Sequence, residues 1–159
     1  MPVIELETTI LAPIERVFDL SLSVELHTAS TSQTRERAVA GVTSGLLRQG
    51  DEVTWEAVHL GVRQRLTSRI VAFDRPRHFR DSMVSGAFRS FDHDHEFLPI
   101  AGGTCVRERF DFRSPLGVLG QLADALFLTR YMLAFLTRKA TAIKQVAESD
   151  EWVRYLPRG

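Results

Sequence analysis

Cysteine is almost absent: Cys105 is the only one among 159 residues. That excludes an internal disulfide and a thiolate metal cluster. A lone cysteine in a strand-like segment, with no nucleophile motif around it, reads as a small buried hydrophobe. An excess of one charge is also lacking. Lys plus Arg and Asp plus Glu number 20 each, so the formal net charge is zero. The global electrostatic pull of a nucleic-acid binder is therefore missing, and Arg63, Arg65 and Arg69, on one strand face, read as a solvated sheet surface. No uninterrupted apolar run is long enough to span a bilayer. The nearest, 116–136, is broken by Gln121, Asp124 and Arg130, and a charge at the centre of a span is costly. The opening Met-Pro-Val-Ile-Glu-Leu-Glu has no basic segment leading into an apolar one, so a cytoplasmic location is expected, with no integral membrane association. Nucleophile elbow, phosphate-binding glycine loop and dinucleotide fingerprint are all missing, which argues against hydrolase, kinase and dehydrogenase chemistry. Gly102-Gly103 reads as a hairpin turn. No cofactor is expected.

What is present is ordinary in amount and specific in order. Hydrophobic residues make up 44% and charged residues 25% of the chain, as in a soluble globular domain. A single domain over 1–159 is expected, with 150–159 (Trp152, Tyr155) as a tail of unassigned packing or a docking segment for another protein. Alternation and β-branched residues predict seven strands: 3–11, 37–42, 52–60, 63–73, 78–84, 87–98 and 104–112. Pro13, with Val17, Phe18 and Leu20 after it, predicts a short helix, and a second is expected over 24–29. Ser30 to Thr34 reads as a loop. Ser114-Pro115 opens a helix whose apolar positions recur to Ile143 and Val146, about 30 residues and so about 45 Å long. Short turns between successive strands imply antiparallel neighbours. One antiparallel layer must bury a face, and the C-terminal helix is the only element large enough to cover it. Gly61 and Gly86 are the expected bends. The fold class is α+β.

The most informative segment is Phe91-Asp-His-Asp-His-Glu-Phe97. In an extended chain Phe91, His93, His95 and Phe97 share one side. Aromatics interrupted by imidazoles suit the wall of a semi-polar cavity. The next strand then presents Val106, Glu108, Phe110 and Phe112, and Glu108 falls near a histidine. Such a pair can hold or move a proton near neutral pH, or form a satisfied buried network. His93, His95 and Glu108 are the candidate catalytic residues. His-x-His supplies two metal ligands on one face, which Glu108 or His59 could complete. Asp92 and Asp94 point the other way, and no metal is expected. Trp55, His59, Leu66, Ser68, Asp81 and Met83 are further candidates for the concave face, Trp and Met offering adaptable apolar contact. On the long helix, Leu119, Leu122, Ala123, Leu126 and Phe127 should face the sheet. The candidate ligand-binding residues are thus these with Phe91, Phe97, Val106 and Phe110.

The element order and several motifs resemble the START-like (SRPBCC) superfamily over about Val3 to Val146. Ala12-Pro13-Ile-Glu-Arg-Val-Phe18 is similar to that group's opening A-P-x-x-x-V-F. Ser85-Gly-Ala-Phe-Arg-Ser-Phe-Asp-His-Asp-His-Glu-Phe97 resembles G-P-F-x-x-W-x-H-x-H-x-F, with Ala87 in place of Pro and Phe91 in place of Trp. Gly103-Thr104-x-Val106 and Pro115-Leu-Gly117 also match. The resemblance implies the helix-grip fold, a curved antiparallel sheet of about seven strands around a long C-terminal helix with two short helices after the first strand. It also implies a cavity for a small hydrophobic or aromatic molecule, lipid- or polyketide-like, in a monomer or homodimer. The group includes polyketide cyclases and dehydratases, so a proton-transfer enzyme acting through the His/Glu pair is the alternative.

Overall fold

The fold is described from a computed structural model covering residues 2–115, 117–123 and 127–157. β-branched residues favour an extended start, and Val3–Ile10 forms β1. Pro13 stands just before α1 (Ile14–Ser21), which buries Val17, Phe18 and Leu20. Ser23 caps α2 (Val24–Ser30), its hydroxyl oxygen accepting from the Leu26 amide at 3.2 Å. The segment expected as a loop carries a 3₁₀ turn, Ser32–Thr34. Then come β2 (Arg37–Gly41), β3 (Glu52–His59), β4 (Val62–Asp74), β5 (His78–Ser85), β6 (Ser90–Ile100) and β7 (Gly103–Arg113).

The seven strands form one antiparallel sheet in the order β1-β7-β6-β5-β4-β3-β2. Register shifts between Thr67 and Ser68 and between Ile70 and Ala72 interrupt the β4–β5 pairing. Such irregularities bend a strand and increase its twist. β6 begins at Ser90 rather than at Ala87 and continues through Pro99 to Ile100. In the turn before it, Gly86 has φ +153° and lies so close to Leu66 that an added Cβ would stand 3.1 Å from that residue.

C-terminal to the sheet, the described residues include α3 (Gly117–Ala123), α4 (Thr129–Ala147) and a 3₁₀ turn, Asp150–Arg154. α4 is the helix that the sheet grips. Gly117 is left-handed, with φ +58°, and the chain changes direction there. The start of the expected long helix is thereby redirected. No helix among the described residues is long and apolar enough to cross a membrane.

The concave face is covered unevenly. At one end Phe18 of α1 meets Phe73, Phe79 and Phe97 edge-on, with ring centroids 5.5, 5.6 and 5.1 Å away. Ile10, Leu20, Ile70, Val106 and Val146 complete this solid core. The tail folds onto the same end: Trp152, Tyr155 and Leu156 pack against it, and the Arg16 guanidinium lies 4.3 Å from the Trp152 ring centre. Trp152 and Tyr155 are thus partly buried against this core. At the other end a second cluster gathers Ile4, Phe91, Phe110, Phe112, Met132 and Leu136. On the convex face Arg65 pairs with Glu56 at 3.0 Å and Arg69 with Glu52, so the strand arginines are a paired surface. Phe18 is fully buried. Phe18→Ala is expected to cost about 3–5 kcal/mol, read as a lower urea midpoint at unchanged slope.

Candidate functional site

A cavity of about 290 Å³ lies where the solid core stops and α4 spans the remaining sheet. Its walls follow from two periodicities. In strands, alternate residues point inward, which supplies Trp55, Ala57 and His59 from β3, Gln64, Leu66 and Ser68 from β4, Asp81 from β5, Phe91 and His93 from β6, and Phe110 from β7. In α4 the inward positions recur every three or four residues. Leu128, Tyr131, Met132, Phe135, Leu136 and Lys139 form that stripe. His27 of α2 and Glu36, just before β2, close one end, with Phe88 near the other.

The polar groups are anchored before any ligand arrives. His27 stacks on Trp55 at 3.9 Å between ring centres and donates from Nε2 to Glu36 Oε1 at 2.7 Å. Burial, then the Lys139 ammonium, pushes His27 below its ordinary pKa. Burial alone would raise Glu36, but His27 and Lys139 outweigh it and hold the carboxylate ionised. His59 Nδ1 and the Tyr131 hydroxyl share a 2.6 Å hydrogen bond. Two polar atoms on buried side chains of the lining have no partner: Glu36 Oε2 and His93 Nε2.

Behind one wall lies a cluster of charges. β6 and β7 pair His93 with Phe110 and His95 with Glu108, and β5 pairs Asp81 with His93. His95 Nε2 donates to Asp81 Oδ1 at 3.1 Å, and its Nδ1 stands 3.3 Å from Glu108 Oε1. Phe79 stacks on the His95 ring at 4.1 Å. Burial pushes His95 down, but the two carboxylates outweigh it and raise its pKa. At Asp81 and Glu108 burial is outweighed by the hydrogen bond to His95 and by the charges of His93, His95 and Lys139, which hold each at about 2. His93 touches the His95 ring at 3.9 Å between centres, and burial followed by the His95 charge lowers it to about 3. The cluster thus sets two carboxylates held ionised around one imidazole whose pKa is raised, beside a second whose pKa is lowered.

Of the residues expected from sequence, Trp55, His59, Leu66, Ser68, Asp81, Phe91, His93 and Phe110 meet at this cavity. Others do not. Phe97 and Val106 are on the expected face but in the solid core, because Phe18 lands on that end of the sheet. His95 and Glu108 are buried behind Asp81 and His93, outside the lining. Met83 packs into the cluster around Phe91 and Phe110 without reaching the lining. Leu119 is 80% exposed and Leu122 61%, since α3 starts from the redirected backbone at Gly117 and does not lay its apolar side on the sheet. Phe127 is half exposed and stacks on Tyr131 at 6.3 Å. The Ala123 side chain and Leu126 lie outside the described residues. Sequence reasoning missed His27, Glu36 and Lys139. Each had a signal: His27 lies three residues after Val24 on α2, Lys139 three after Leu136 on α4, and Glu36 two before Ala38 on the inner side of β2.

A family model described as polyketide cyclase / dehydrase and lipid transport matches residues 1–148. The chain belongs to this family. No curated protein sequence matches it. Among solved structures, TTHA0849 from Thermus thermophilus superposes with a TM-score of 0.71 at 22% identity, covering 93% of this chain and 100% of that one. A START superfamily protein from Mycobacterium smegmatis gives 0.69 at 11% identity, covering 92% and 97%. Ginseng major latex-like protein 151 from Panax ginseng gives 0.68 at 15% identity, covering 93% and 98%. These likenesses establish the helix-grip fold for this member of the polyketide cyclase / dehydrase and lipid transport family.

The charge cluster makes stability depend on pH in a definite sense. A raised His95 contributes fully below its ordinary value of 6.5, and the contribution is lost as pH rises through the raised native value. Asp81 and Glu108 act oppositely: their contribution holds above their ordinary 3.8 and 4.5 and is lost as pH falls towards about 2. His93, neutral down to about 3, also lowers stability below 6.5, where the unfolded chain takes up a proton that the native state refuses. The stability gap between wild type and His95→Gln should therefore be greatest at mildly acidic to neutral pH and narrow as pH rises. Urea titrations across that range would show it, and a gap that widens with rising pH would contradict it.

Proposed function

We propose that this protein binds a small hydrophobic or aromatic molecule, lipid- or polyketide-like, within the cavity between sheet and α4. The observation that carries this reading is the division of the lining. Leu66, Phe88, Phe91, Phe110, Met132 and Phe135 offer an apolar body, and Glu36 Oε2 and His93 Nε2 are buried polar atoms without partners. A ligand with a polar end would relieve both at once, because leaving such atoms unpaired costs about 1–3 kcal/mol each. Apolar burial supplies the affinity, at about 25 cal/mol per Å² before ordering costs. In this reading the protein works in the cytoplasm as a monomer or homodimer, with the lone Cys105 kept reduced.

A second reading, a cyclase or dehydratase acting by proton transfer, is favoured by one observation. His93 stands at the cavity wall and has an unpartnered ring nitrogen. In that reading the base is His93. His95 and Glu108, outside the lining, position it and set its charge.

The binding reading is tested by titrating the protein with the neutral fluorescent probe N-phenyl-1-naphthylamine. Phe135→Ala should weaken binding by about tenfold, as loss of roughly 1.4 kcal/mol of apolar contact implies. Leu119→Ala, at an exposed position, should leave it unchanged. Equal affinity in wild type and Phe135→Ala would remove the cavity from the account.

A further inference from the structure

We propose that Asp81, His93 and His95 form a binding site for a divalent transition-metal ion of the zinc or iron(II) class, open to the cavity. The potential ligand atoms of the three side chains all lie within 4.8 Å of one another. Asp81 Oδ1 is 3.1 Å from His95 Nε2 and 3.9 Å from His93 Nδ1. An ion bonded at about 2.0–2.1 Å to each donor wants its donors roughly 3.3 Å apart. One pair already has about that spacing, and the others, none beyond 4.8 Å, would close in on a bound ion by side-chain rotation. The three residues stand on neighbouring strands β5 and β6, so the backbone holds them together without an ordering cost.

Three further features point the same way. His95 already has a carboxylate, Glu108, 3.3 Å from its other ring nitrogen, the arrangement that orients a metal-bound imidazole and raises its basicity. Two imidazoles and one carboxylate select a nitrogen-preferring transition ion over magnesium or calcium. The third is the pair of buried carboxylates, Asp81 and Glu108, which places anionic oxygens on both ring nitrogens of His95. Asp81 and His93 face the cavity, so coordination positions not filled by protein point to where a ligand oxygen would lie. The Lys139 ammonium lines the same cavity and opposes a cation, and the Glu36 carboxylate beside it offsets that charge.

The test is isothermal calorimetry of chelator-treated protein with Zn²⁺, and visible absorption with Co²⁺. One ion should bind per chain. His93→Gln should weaken binding by about tenfold or more. That substitution breaks no hydrogen bond, since His93 Nε2 has no partner and Nδ1 lies beyond hydrogen-bonding distance of Asp81. Asp81→Asn should do the same. Asp94→Asn, which removes the His78–Asp94 pair on the opposite face, should leave binding unchanged. Absence of saturable binding tighter than about 1 mM would overturn the proposal. So would affinity insensitive to His93→Gln, or affinity lost in Asp94→Asn, which would place the ion on the outer face. Neither outcome bears on the naphthylamine titration, so the two readings fail separately.

Discussion

The contacts of His95 with Asp81 and Glu108 are the interaction on which the inner face of this sheet depends. Asp81, His93, His95 and Glu108 sit on three adjoining strands with little exposure, where an uncompensated charge is costly. Each carboxylate has a His95 ring nitrogen within 3.3 Å, and the pair raises the His95 pKa against burial. Burial, and then the His95 ring 3.9 Å away, lower His93. The strands can then carry four titratable residues on an otherwise aromatic face. Removing one partner of such a buried pair typically costs about 3–5 kcal/mol.

The position of this cluster along the sheet explains the cavity. A one-layer sheet has to cover its apolar face, and α1, α2 and the folded-back tail do so only at one end. There Phe18 meets three phenylalanines and leaves no room. At the other end a single helix, α4, spans the curve. Its Tyr131, Met132, Phe135 and Leu136 reach towards β3, β4 and β6 and leave about 290 Å³ between them. The charge cluster sits at the boundary, and through Asp81 and His93 it turns one wall polar.

Much of this was legible in the chain because strands encode their faces with period two. The seven strands, the antiparallel meander and the pairing of Phe91, His93, His95 and Phe97 with Phe112, Phe110, Glu108 and Val106 follow from alternation and a short hairpin turn. Position along a face is not encoded that way. Whether Phe97 lines a cavity or fills a core depends on where Phe18 lands, a contact between residues far apart in sequence. The same limit hid the pairing of Asp81 with His93 and His95, since β4–β5 irregularities and β5–β6 register decide it together. Leu119 shows the complementary failure: helical spacing identifies an apolar stripe but not whether anything stands opposite it. His27, Glu36 and Lys139 were overlooked because charged and polar residues on apolar stripes read as surface until a cavity gives them a place.

The most direct measurement is ¹⁵N NMR of the histidine side chains in chelator-treated protein at neutral pH. Asp81 and Glu108 on its two nitrogens predict His95 as an imidazolium, with protons on both, and His93 as a neutral ring with one. A neutral His95, or a charged His93 beside it, would contradict the charge arrangement from which the pH dependence is derived.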